Sequence, residues 1–203
     1  MGTQGTGELD CVAIAGLVKD GSSTSIHNLR ADLATDTLQT MDYEHHEIHA
    51  GSHFYFTDAR TISAASTDAI DYLIVAPDTT KWAHFIFDAD GVAVTSYSLF
   101  EDCTKATSDF TAETVFNNDR NSATAATLAI YSAQSSTDGD GTLIYEYAGG
   151  ASSAQSKTPT EARATRELIL KQGKKYIFRV ISGTASNLCN ILFSWYEHTN
   201  VSL

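Results

Sequence analysis

Four imidazoles and two carboxylates fall within the ten residues from Glu44 to His53: Glu44-His45-His46-Glu47-Ile48-His49, then His53. Neutral imidazole nitrogens and carboxylate oxygens are the donors that bind zinc and similar divalent ions. On an extended strand alternate side chains share a face. His45, Glu47 and His49 would then converge on one side as a candidate metal set. The spacing matches neither the helical His-Glu-x-x-His of metalloproteases nor the His-x-His of cupins. The competing reading is a polar strand at a subunit contact, with His46, His49 and His53 at the interface. Such a contact would respond to pH near the imidazole value of about 6.5. No resident cofactor is expected.

Other catalytic chemistry leaves little trace. There is no Gly-x-Ser-x-Gly elbow and no phosphate-binding loop. Gly139-Asp140-Gly141, after Asp138, lacks the glutamate and spacing of a calcium loop and reads as a solvated turn. Cys11, Cys103 and Cys189 are too few and too far apart for a disulfide framework or zinc knuckle, and Cys189 reads as a buried hydrophobe. Glycoside hydrolysis needs only two carboxylates, so no motif excludes it. The expectation is a protein that is not an enzyme.

Composition narrows the partners. The 203 residues are 42% hydrophobic and only 19% charged, with a formal net charge of −12. An acidic surface repels nucleic-acid phosphates and anionic lipid. The nearest basic groups, Lys171 with Lys174 and Lys175, and Arg163 with Arg166, read as solvated, the second pair in a loop. No basic-then-apolar leader and no apolar stretch long enough for a membrane span are evident, so a cytoplasmically made chain with reduced thiols is expected.

The elements that must carry these residues read as β. Residues 1–40 form an extension: glycines at 2, 5 and 7, an apolar run from Leu9 to Val18, and helix-like spacing at Ile26, Leu29 and Leu33. From 41 to 203 the pattern predicts one β domain. Met41–Ile48 pairs with His53–Thr57 across Ala50-Gly51-Ser52. Runs at Tyr72–Ala76, Trp82–Phe87, Thr127–Ser132, Thr142–Tyr147, Glu167–Leu170, Tyr176–Ile181 and Leu188–Tyr196 follow. Turns are expected at Asp88–Gly91 and Gln172-Gly173, and a short capped helix at Thr158–Glu161. Regularly spaced short strands predict an all-β antiparallel sandwich, jelly-roll-like, with an N-terminal extension. Trp195 and Tyr196 should face opposite sides of the last strand, one in the core and one at an interface. Arg120, between Asn118 and Asn121, should anchor a loop.

Five segments in order carry a resemblance: His46-Glu-Ile-His-Ala-Gly-Ser-His53, Pro77-Asp-Thr-Thr-Lys-Trp82, Phe116-Asn-Asn-Asp-Arg-Asn-Ser122, Glu167-Leu-Ile-Leu-Lys-Gln172 with Tyr176-Ile-Phe-Arg179, and Trp195-Tyr-Glu-His-Thr199. Together they resemble a family of small proteins encoded among the virion genes of tailed bacteriophages, over residues 42 to 199. The resemblance implies a virion component, foremost a head decoration or cement protein on the major capsid protein. A homotrimer would match the local three-fold points of an icosahedral shell. The alternative is a fibre or receptor-binding module for a surface glycan.

Overall fold

The computed structural model describes residues 44–62, 69–136, 138–150 and 167–199 with their side chains, and the backbone of Tyr43, of strands between 15 and 38, and of 160–163. The chain divides into two compact units, Met1–Asp42 with Val201–Leu203, and Tyr43–Asn200.

The first unit holds two antiparallel pairs. Strand β1 (Ala15–Asp20) pairs β2 (Ser23–Asn28), with Leu17 opposite Ile26, and β3 (Ala31–Asp32) pairs β4 (Thr37–Leu38). Ile26 therefore belongs to a strand and not to a helix. Its supposed helical partners Leu29 and Leu33, with the N-terminal glycines and Cys11, lie outside the described residues.

The second unit opens with helix α1 (Tyr43–His49), and among the described residues its remaining elements are strands apart from one 3-10 turn at Thr107–Asp109. These are β5 (His53–Ile62), β6 (Ile70–Val75), β7 (Lys81–Gly91), β8 (Thr95–Glu101), β9 (Thr111–Ala112), β10 (Phe116–Asn117), β11 (Ala129–Gln134), β12 (Thr142–Gly149), β13 (Thr160–Arg163), β14 (Leu168–Ile169), β15 (Lys175–Ser182) and β16 (Asn187–Thr199). One sheet runs β10-β5-β16-β7-β13, with β14 also on β7; the other runs β12-β8-β15-β6-β11-β9. Every pairing is antiparallel. Set aside β9–β11, and let β14 stand for the short strands on β7. Eight strands then remain, ordered first-eighth-third-sixth and second-seventh-fourth-fifth, the strand order of a jelly roll. The protein is an all-β antiparallel sandwich.

Alternation drives this packing. Ala83, Phe85, Phe87 and Ala89 of β7 and Cys189, Ile191, Phe193 and Trp195 of β16 all point inward, where they meet Tyr176, Phe178 and Val180 of β15. Phe193 sits at the centre, its ring 5.2–5.7 Å from Phe56, Tyr72, Phe85 and Phe178. Burial pushes the Cys189 thiol up to about 11, so it behaves as a small apolar group.

The second sheet is covered on its outer side as well. Leu73, Ile177 and Cys103 form a smaller apolar cluster there, beside a buried charge network. Arg179 bonds both oxygens of Asp71 at 2.7 and 2.9 Å and both oxygens of Asp140 at 2.6 and 2.7 Å. Lys105 lies 2.6 Å from Asp71 and 2.8 Å from Asp140. Two cations thus meet two carboxylates. Partial burial opposes ionisation of Asp140, but bonds from Arg179 and Lys105 outweigh it and hold its carboxyl below the usual range. The Gly139-Asp140-Gly141 segment is therefore no merely solvated turn: its carboxylate is directed onto internal cations. The lysines of the Lys171–Lys175 group also have partners: Lys171 at 2.5 Å from Glu101, Lys174 at 2.9 Å from Asp102, and Lys175 on the carbonyl of Lys105.

Four local expectations are corrected. Residues 43–49 are helical, and Ala50-Gly51-Ser52 is a helix cap. Gly51 has φ +70°, its N–H bonds the Ile48 carbonyl, and the Ser52 N–H bonds that of Glu47. These two bonds define a Schellman motif. Asp88–Gly91 lies inside β7, because Ala89 continues the inward alternation; a Cβ on Gly91 would collide with Thr95 Oγ1. Gln172-Gly173 joins strands of different sheets, so it is no hairpin. Thr160–Arg163 is β13, paired with Asp88–Gly91, which takes Glu161 out of the expected helix and Arg163 out of a loop; Thr158, Pro159 and Arg166 lie outside the described residues. No helix among the described residues is long and apolar enough to cross a membrane.

Candidate functional site

A seven-residue helix rearranges the histidine cluster. Residues four apart share a helix face, so His45 and His49 meet in solvent with their Nε2 atoms 3.1 Å apart. Glu47 points elsewhere: it is buried, accepts from Ser52 Oγ, and lies 3.3 Å from His46 Nδ1. The expected His45-Glu47-His49 set is not assembled, because the helical period separates what a strand would align. Among the described residues, no three His, Cys, Asp or Glu side chains converge as a metal cage.

His53 goes to a different place. It opens β5 and is buried, with Nε2 3.2 Å from Glu44 and Nδ1 2.6 Å from the Asn118 amide. Register puts it directly across from Tyr196 of β16, which in turn lies across from His84 of β7. The even positions of β16 face outward, so these three rings form a row on the outer face of the first sheet. Tyr196 lies 6.3 Å from His53 and 4.5 Å from His84, stacked on both. Glu167, just before β14, accepts from the Tyr196 hydroxyl at 2.9 Å and from His84 Nδ1. His198, one outward position beyond Tyr196, completes the row with its Nε2 2.6 Å from that of His84.

Sequence reading placed Trp195 and Tyr196 on opposite faces, and they are. Trp195 is in the core, with its indole N–H on the buried Glu197 carboxylate at 3.1 Å. Tyr196 is on the outer face yet only 6% exposed, covered by its neighbours in the row. His46 and His49 are exposed. Arg120 does not anchor its loop. It is exposed, with its guanidinium 5.3 Å over the Phe116 ring, while the Asn117 amide ties the loop to the carbonyls of Gly51 and Thr124. His84, Glu167 and His198 were missed, since only sheet register brings them together. The outward alternation of Ser194, Tyr196 and His198 was their one sequence signal.

The row has a pH consequence. Burial lowers the pKa of His53 from its ordinary 6.5, and the charge of Glu44 only partly restores it. The unfolded chain therefore takes up this proton more readily than the folded one. The associated stability is fully present above pH 6.5 and is lost as pH falls through the lower folded value. His53→Gln is expected to flatten the acid side of the melting-temperature profile between about pH 7.5 and 5. Parallel profiles for variant and parent would contradict this.

A cavity of about 480 Å³ opens at the sheet edge beside Arg60, Ile62, Ile70, Thr111, Glu113 and Gln134. Its charges are engaged internally: Arg60 contacts Asp58 at 2.5 Å and Glu113 at 2.9 Å, and the Tyr72 hydroxyl donates to Asp58 at 2.8 Å. One guanidinium holds both carboxylates, an arrangement unlike a separated acid and nucleophile pair. The exposed large apolar side chains among the described residues lie elsewhere: Leu188 and Leu192 on the outer face of β16, Leu143, Ile144 and Tyr147 on β12, an edge strand, Ile169 on β14 and Val92 just after β7.

Comparison of the chain with known protein families, curated proteins and solved structures returned no match.

Proposed function

We infer that the protein is a non-enzymatic structural component of a tailed-phage particle, a decoration or cement protein that sits on the major capsid protein and stabilises the head. The observation that carries this reading is where the exposed apolar surface lies. Much of it lies on a sheet face and a sheet edge, at Leu188, Leu192, Leu143, Ile144 and Tyr147, away from the cavity, whose lining mixes Arg60, Glu113 and Gln134 with Ile62, Ile70 and Ala133. Broad sheet surfaces suit an extended footprint between proteins. The five ordered segments resembling phage virion proteins point the same way. Weak single contacts to a lattice gain strongly when an oligomer bridges neighbouring subunits, which favours a homotrimer at the three-fold points.

The test is co-sedimentation of the purified chain with shells that lack it. Saturable binding at a fixed ratio to the major capsid protein is expected, weakened at least tenfold when Leu188 and Leu192 are both changed to Ser. Absence of binding to any shell would overturn the reading and turn attention to a fibre module that recognises a surface glycan. The described lining of the Arg60 cavity offers no aromatic platform for a sugar ring.

A further inference from the structure

The contact between His84 and His198 has an unusual polarity. On His84, Nδ1 faces a carboxylate oxygen of Glu167; on His198, Nδ1 lies 2.9 Å from the backbone carbonyl of Thr199. Both partners are acceptors, so each ring donates from Nδ1, and a neutral ring then carries its lone pair on Nε2. The two Nε2 atoms are nonetheless 2.6 Å apart. Two lone pairs at that separation repel unless a proton or a metal cation lies between them.

We propose that this pair is a binding site for one divalent first-row cation, zinc foremost, with Nε2 of His84 and of His198 as its protein ligands and water completing the shell. Imidazole nitrogens favour zinc, copper and nickel over magnesium and calcium. With metal–nitrogen bonds of about 2.0–2.1 Å, two ligands on one tetrahedral ion stand roughly 3.3–3.4 Å apart. The rings therefore need to part by about 0.7 Å from their 2.6 Å separation, a shift within reach of side-chain rotation. They sit on adjacent strands, β7 and β16, at diagonal positions, since His84 pairs with Tyr196 and His198 with Trp82.

The outer shell is already built. A carboxylate on the far nitrogen of a ligating histidine fixes its tautomer and raises its basicity. Glu167 occupies that place on His84, and the Tyr196 hydroxyl fixes Glu167 in turn. Stacking of Tyr196 on His84 restrains the ring plane. The exposed His45–His49 pair, 3.1 Å across at Nε2, has a suitable bite of its own and is the competing site. It is therefore removed in the test.

Zinc chloride is titrated by calorimetry into the full chain carrying His49→Gln. One equivalent is expected to bind. His198→Gln in that background should weaken binding tenfold or more, and Glu167→Gln about 10–100-fold. As a readout free of further substitution, one equivalent of copper(II) in the His49→Gln chain should show hyperfine coupling to two imidazole nitrogens in electron paramagnetic resonance. Lack of binding in the His49→Gln chain would mean that the pair only shares a proton, and would overturn the site. Zinc affinity indifferent to His198→Gln in a folded variant would overturn it equally.

Discussion

Arg179→Met is expected to cost about 3–5 kcal/mol of folding stability, the scale for removing one partner of a buried ion pair. Arg179 is 6% exposed and Asp71 is fully buried. Removing the guanidinium strips Asp71 of two charge-assisted bonds and leaves it with Lys105 alone, in surroundings that water does not reach. Asp140 loses two further bonds, though at 14% side-chain exposure it recovers some hydration. The asymmetry of buried pairs gives a second readout. The double variant Arg179→Met with Asp71→Leu should be less destabilised than the sum of its singles, because the orphaned charge is gone. Urea unfolding of the four chains measures both quantities. A cost under about 1 kcal/mol for Arg179→Met would mean that water enters the network and screens it.

Phe193→Ala should cost a similar amount by a different mechanism, about 3–5 kcal/mol. The ring is fully buried and touches four other aromatic rings drawn from both sheets. Its loss removes buried apolar surface and leaves a cavity that stiff neighbouring rings fill poorly. The adjacent residue supplies the control. Leu192 points to the opposite face and is 41% exposed, so Leu192→Ala should stay within about 0.5 kcal/mol of the parent. Comparable losses at 192 and 193 would contradict the assignment of faces on β16.

The sandwich was legible because strand alternation is a local signal. Ala83-x-Phe85-x-Phe87 and Ile191-x-Phe193-x-Trp195 declare their inward faces without help from the rest of the chain. The helix at 43–49 was not, for a physical reason. Gly51 in a left-handed conformation serves a helix cap as well as a hairpin, and seven residues give too few turns for periodicity to decide between them. The mistaken strand then aligned His45, Glu47 and His49, which the helix parts. The outer row was hidden differently. His84 stands 83 residues from Glu167 and 114 from His198, and only the pairing of β7 with β14 and with β16 joins them. Asp140 was read as solvated for the same reason, since its cations come from β15 and from the segment after β8.

The last strand has a consequence for how the chain comes to be folded. β16 is the partner of both β5 and β7, so the first sheet has no middle until residue 199 has been made. The core rings of β5 and β7 must wait beside one another with their hydrogen-bonding edges open. Closing that gap joins residues more than 130 positions apart, as with His53 and Tyr196, and such long-range pairing makes folding slow. A nascent or truncated chain ending before β16 would present two unsatisfied edges flanking an exposed apolar face, the form most prone to pair with other copies of itself.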